Sequence, residues 1–209
     1  YMQCSNELAV LCFSPERFMR LNGRHVETRP IKGTRPRHAD PASDQAAALA
    51  LQQSPKDRAE NLMIGDLLRN DIGRNCQPGS VRVDELFALE SYPLVHHLVS
   101  SISGELRPGR SAVDLLRDSF PGGSITGAPK IRATQIITEL ETVPRNIYTG
   151  CIGYFNIDNQ SDFNIAIRTI YILENKLYFH VGGGIVADSD PEKEWEETVS
   201  KSKVIKNIL

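Results

Sequence analysis

Two pairs of carboxylates with the same spacing, Asp57/Glu60 and Glu194/Glu197, stand on segments far apart in the sequence. Residues at i and i+3 on a helix share one face, with their side chains about 5–6 Å apart. Each pair also follows a helix-start signal. Ser54 is a natural N-cap with Pro55 at the first helical position and Asp57 three residues after the cap, and Asp190-Pro191 repeats the arrangement ahead of Glu194. Four hard oxygen donors from two helices suit Mg²⁺, which leaves its other positions to water and an anionic substrate. The same spacing suits a solvated charged face, and Glu197 with Lys201 is the ordinary i,i+4 stabilising pair. Spacing alone leaves both readings open.

Other residues add chemistry around these acids. The run Gly122-Gly123-Ser124-x-Thr126-Gly127-x-Pro129-Lys130 precedes a helix, so its backbone N–H groups can hold an anion. It is not a nucleotide-binding P-loop, because Lys130 follows a proline and precedes Ile131. Gly182-Gly183-Gly184 allows a close backbone approach to a carboxylate, or simply a tight bend after a strand. Arg168 alternates with Ala166 and Ile170 on one expected strand face, where its cation meets either a substrate carboxylate or one of the four acids. His97 opens an apolar strand, a position that suits a hydrogen-bonded core residue as well as a catalyst. Lys32, between Ile31 and Gly33, is a nucleophile if buried near the acids and inert if exposed at a turn.

The elements that must position these groups follow from periodicity and punctuation. Leu8 to Phe13 reads as a strand, Ser14-Pro15-Glu16 as a turn, and the segment reaching Arg29 to Thr34 as extended, since residues before proline avoid the α region. Residues 35 to 44 have the composition of a mobile loop. Helices are expected from Gln45 to Gln53, then from Pro55 with an apolar stripe at Ala59, Leu62, Met63, Leu67 and Leu68, then from Ser111 to Ser119 and from Lys130 to Glu141. Strands are expected at Ser80 to Asp84, His97 to Leu106, Thr149 to Ile157, Asp162 to Leu173 and Lys176 to Val181, with hairpin turns at Asp158-Asn159 and Glu174-Asn175. A last helix carries Glu194, Glu197 and Lys201. Runs of strands interspersed with helices argue for an α+β fold, a mixed or antiparallel sheet sandwich flanked by helices.

Composition sets the remaining bounds. With 209 residues and 40% hydrophobic content the chain can bury a core, and its net charge of −2, with scattered Lys and Arg, gives no reason to expect nucleic acid. Cys4, Cys12, Cys76 and Cys151 form no C-x-x-C spacing and no secretion signal opens the chain, so reduced thiols in a cytoplasm are expected. No apolar run is long enough to span a membrane.

Eight ordered motifs together resemble the chorismate-utilising enzyme family: SPERF at 14–18, RPIKGTRPR at 29–37, KDRAENLMIGDLLRNDIGR at 56–74, HHLVS at 96–100, FPGGSITGAPK at 120–130, GCIGY at 150–154, IAIRT at 165–169 and GGGIVADSDPEKEWEET at 182–198. The resemblance implies the C-terminal part of the chorismate-binding catalytic domain over residues 1–209, with an N-terminal half absent. It implies Mg²⁺ held chiefly by Glu60 and Glu197, with Asp57, where many relatives have glutamate, and Glu194 in support. Chorismate's carboxylates would meet the metal, Arg168, Tyr154, Lys201 and the N–H groups of Gly183 and Gly184. Thr34, Thr126 and Gly127 would line the site, and His97 would face the ring near the leaving hydroxyl. Lys32 resembles the 4-aminobenzoate branch of the family, whereas the anthranilate branch carries alanine there. That branch implies addition of the Lys32 amine at ring C2, loss of the C4 hydroxyl, and displacement of lysine by ammonia from a glutamine amidotransferase subunit. Anthranilate formation is the alternative activity, and a silent module that holds the amidotransferase is a third reading.

Overall fold

The computed structural model describes residues 1–206. In chain order the elements begin with β1 (Met2–Gln3), β2 (Leu8–Cys12), β3 (Arg17–Asn22), β4 (His25–Arg29) and β5 (Ile31–Pro36). Then come α1 (Pro41–Gln53), α2 (Pro55–Gly73), β6 (Arg82–Ser91), β7 (Val95–Glu105), α3 (Ala112–Ser119), a short 3₁₀ turn (Gly123–Ile125) and α4 (Lys130–Leu140). The chain continues through β8 (Cys151–Phe155), β9 (Gln160–Ile165), β10 (Thr169–Leu173), β11 (Lys176–Phe179) and α5 (Pro191–Lys206). All strand pairings registered among the described residues are antiparallel, and with five α-helices the fold is α+β. The residues gather into two compact units.

The larger unit comprises Glu16–Thr142 and Ile152–Asn164. Its sheet runs β5-β7-β4-β3-β9-β8, with β6 also on β7. The long strand β7 serves three partners: β6 along its length, β5 near Val95–Val99 and β4 over Ile102–Glu105. Helices α1 and α2 pack on this sheet. The face that α2 buries is Asn61, Ile64, Gly65, Leu68, Asp71 and Ile72, at helical spacing. This corrects the expected stripe, of which Leu68 alone is fully buried; Ala59, Leu62 and Met63 are exposed. Two polar residues on the inner face hid its phase from an apolarity template. Asn61 is tolerated there because its amide donates to Leu98 O at 3.1 Å and its carbonyl accepts the Ser100 hydroxyl.

Two further expectations change here. Residues 35 to 44 are mostly ordered elements: β5 ends at Pro36 and α1 starts at Pro41, capped by Asp40, whose carboxylate accepts Ser43 N–H at 2.9 Å. Arg37 forks onto Asp44 at 2.9–3.0 Å across the short connection and holds that carboxyl well below the usual range. Strand β6 extends to Ser91 instead of ending at Asp84, because register shifts between Val83 and Glu85 and between Glu85 and Ala88 break the period-two pattern.

The smaller unit comprises Tyr1–Pro15, Val143–Cys151 and the chain from Ile165 onward. Its sheet order is β1-β2-β10-β11. Glu174 and Asn175 both have positive φ, 49° and 61°, as the expected two-residue hairpin turn between β10 and β11 requires. The single strand expected from Asp162 to Leu173 is instead two, β9 and β10, which join different sheets. The break is at Ala166 to Arg168, where Ala166 exchanges backbone hydrogen bonds with Thr149 and Gly150 and Arg168 turns left-handed at φ 49°. An unbroken apolar run conceals such a change of sheet. All four cysteines are free thiols, and burial pushes that of Cys76 up to about 11. No helix among the described residues is long and apolar enough to cross a membrane.

Candidate functional site

The residues singled out by sequence fall into one group per unit. In the larger unit the group is built around Lys32. Strand β5 has a register shift between Ile31 and Thr34, and Gly33 sits at φ +88°. A Cβ there would come within 2.8 Å of Leu51 Cδ1 and 3.0 Å of Asp57 Cβ, so only glycine lets β5 lie this close to α1 and α2. Beside this bulge the Lys32 ammonium lies 2.9 Å from Glu60 Oε1 and donates to Ser124 O at 3.2 Å, with the side chain 16% exposed. Lys32 is therefore not an exposed turn residue. Asp57, one turn before Glu60, pairs with Arg35 at 3.0 Å.

A residue that sequence reasoning passed over completes the group. Glu16 is buried, and burial pushes its carboxyl pKa up, opposed by a hydrogen bond from the Ser124 side chain, the nearby charge of Lys32 and the Ile31 backbone. The only signal was the SPERF motif itself, since a lone acid at a turn has no pattern to mark it. His97 is buried on β7, with Nδ1 2.9 Å from Thr34 Oγ1 and its ring 5.7 Å from that of Tyr92. This is the hydrogen-bonded core environment, with the ring held in one orientation.

The loop from Phe120 to Lys130 closes over α2. The Thr126 hydroxyl donates to Gly122 O at 2.9 Å, within the loop, and Gly127 (φ 146°) rests against Ala133. Lys130 is an anchor: its ammonium lies 2.6 Å from Asp71 Oδ2 and donates to Ser119 O at 2.8 Å. Burial raises the pKa of Asp71, opposed by Lys130. Tyr154 is an exposed residue of β8.

In the smaller unit the glycine run follows β11. A Cβ on Gly183 would lie 3.1 Å from Glu194 Oε2, so the run bends close against this buried carboxylate. Glu194 Oε1 accepts the Ser189 hydroxyl at 2.7 Å. Lys201 pairs with Glu197 at 2.6 Å and also donates to Gly182 O at 3.2 Å, tying α5 to the run that contains Gly183 and Gly184. Arg168 is half-buried, and burial alone lowers its pKa. Its guanidinium has no acidic partner among the described residues.

Taken by itself, each acid pair offers the kind of donor that suits Mg²⁺. Asp57 and Glu60 share one face of α2, Glu194 and Glu197 one face of α5, and all offer oxygen alone. Among the described residues no cluster of three or more His, Cys, Asp or Glu stands ready-made. Glu60 and Glu197 each have a lysine on their carboxylate.

The chain belongs to the chorismate binding enzyme family, whose profile matches residues 1–207. It is 56% identical over 193 residues to aminodeoxychorismate synthase component 1 of Salmonella typhimurium, covering 92% of this chain and 42% of that protein. It is 47% identical over 196 residues to anthranilate synthase component 1 of Streptomyces coelicolor, covering 94% of this chain and 38% of that protein. Among solved structures, anthranilate synthase component I from Streptococcus pneumoniae matches with TM-score 0.88 and 37% identity, over 98% of this chain and 45% of that one. The chain thus spans less than half the length of these relatives.

Proposed function

We propose that the chain carries the amination chemistry of an aminodeoxychorismate synthase: chorismate and ammonia give 4-amino-4-deoxychorismate, on the route to 4-aminobenzoate and folate. The observation that carries the reading is Lys32, largely buried, 2.9 Å from Glu60 and beside the buried Glu16. Two acceptors, Glu60 Oε1 and Ser124 O, hold the Lys32 nitrogen inside the group, where a lysine nucleophile would have to stand.

Lys32 adds to ring C2, the double bond shifts and the C4 hydroxyl departs. Glu16, which burial makes readier to hold a proton than a surface glutamate, supplies that proton so that water leaves. Ammonia then adds at C4 and lysine is expelled. Arg168 and Lys201, with the N–H groups of Gly183 and Gly184, receive carboxylates. Glu60 and Glu197, supported by Asp57 and Glu194, would hold Mg²⁺, whose chemistry when bound is to draw charge onto the ring carboxylate. His97 fixes the ring-facing wall, with Thr34 setting its orientation, while Thr126, Gly127 and Tyr154 complete the lining. Ammonia would come from a glutamine amidotransferase subunit, a role that accords with the "component 1" of the relatives' names. A reducing cytoplasm suits the four free thiols.

Anthranilate formation is the second reading, favoured by the 47% identity to an anthranilate synthase. The full-length protein incubated with chorismate, Mg²⁺ and ammonium at alkaline pH decides between them: 4-amino-4-deoxychorismate as the chromatographed product supports the proposal, and anthranilate overturns it.

A further inference from the structure

We infer that Ser124 is a positioning residue for this reaction, gripping the nucleophile with its backbone and the buried acid with its side chain. The inference rests on the amination reading above. Lys32 Nζ donates to the Ser124 carbonyl at 3.2 Å, and the Ser124 hydroxyl hydrogen-bonds the Glu16 carboxyl. Glu60 Oε1 at 2.9 Å and Ser124 O at 3.2 Å both accept from the Lys32 side-chain nitrogen, so two acceptors fix where that nitrogen sits. Glu16 is held the same way: Ser124 and the backbone at Ile31 direct its carboxyl, and Ile31 is the residue before Lys32.

The segment that presents Ser124 is built to hold it still. Gly123 packs on α2 so closely that a Cβ would lie 2.8 Å from Leu67 Cδ2. Thr126 closes the turn onto Gly122 O, and Lys130 pins the loop end to Asp71 of α2 and to Ser119 O at the end of α3. Glu60 rides on the same helix α2, so both acceptors of the Lys32 amine share one rigid support. The Thr126 hydroxyl and the Lys130 ammonium hold the loop in place. Their product is the placement of one carbonyl and one hydroxyl.

The test is steady-state amination by the full-length protein and its Ser124→Ala and Ser124→Thr variants, with unfolding midpoints measured alongside. Alanine keeps the carbonyl but frees Glu16. The expected result is a kcat lowered about tenfold or more with the chorismate KM within about twofold, as for an interaction made in the transition state. Threonine, which restores the hydroxyl, recovers most of the rate. An alanine variant with the wild-type kcat overturns the inference, as does a rise in KM at unchanged kcat or a loss that follows the unfolding midpoint. The wild-type product separates the two claims: if it is anthranilate the amination reading fails, and if it is 4-amino-4-deoxychorismate with Ser124→Ala unimpaired, only the Ser124 inference fails.

Discussion

Lys32 Nζ lies 2.9 Å from Glu60 Oε1, and the pair exists because Gly33 lets β5 bulge against α2. Strand and helix are separate sequence motifs, and a single backbone conformation joins them. A Gly33→Ala substitution forces a left-handed φ on a residue with a Cβ and drives that Cβ into Leu51 and Asp57. The backbone strain alone costs roughly 1–3 kcal/mol. Urea unfolding should show this loss, and Lys32 should no longer react with chorismate even where the variant is fully folded.

Glu16 makes stability depend on pH with a definite sign. Its pKa is raised in the folded state, mainly by burial, so between its ordinary value of 4.5 and the raised one the folded protein holds more proton than the unfolded. Stability therefore falls as pH rises through that window. In Glu16→Gln this fall disappears, while amination is lost for want of the acid. Denaturant midpoints from pH 4 upward, wild type against variant, measure it; parallel curves would show that folding leaves the affinity of Glu16 for its proton unchanged.

Lys130 and Asp71 form a largely buried ion pair at 2.6 Å. Lys130→Met strands the Asp71 carboxylate and is expected to cost roughly 3–5 kcal/mol. An Asp71→Leu/Lys130→Met double variant should recover most of that in urea denaturation, because breaking such a pair costs more than removing it.

Arg168 has desolvation and no acidic partner among the described residues. Arg168→Met should leave the unfolding midpoint unchanged or higher, because a half-buried cation has been removed. The chorismate KM should rise on the order of ten- to a hundredfold, the worth of one or two charged hydrogen bonds. A lower midpoint with unchanged KM would make Arg168 structural.

Most of the fold was legible because its signals are local. Ser54-Pro55 and Asp190-Pro191 start helices where expected, with Ser54 accepting Asp57 N–H and Asp190 accepting Lys193 N–H. The Glu174-Asn175 turn declares itself by residue type. What stayed hidden is set by long-range packing. Asn61 and Asp71 lie on the buried face of α2 because partners elsewhere satisfy them, and no periodicity shows that. Likewise Ala166 to Arg168 leave one sheet for another inside an apolar run. Glu16 was invisible for the same reason: its importance comes from Ser124 and Lys32, remote in sequence. Lys32 itself was legible by resemblance, and its burial only from the structure.

The central claim is covalent catalysis by Lys32, and mass spectrometry of the full-length protein exposed to chorismate and Mg²⁺ without ammonia tests it most directly. The expected result is a mass gain of one chorismate less one water, located on the peptide that contains Lys32, absent in Lys32→Ala and discharged as 4-amino-4-deoxychorismate when ammonium is added. An unmodified Lys32 peptide together with full amination by Lys32→Ala would contradict it.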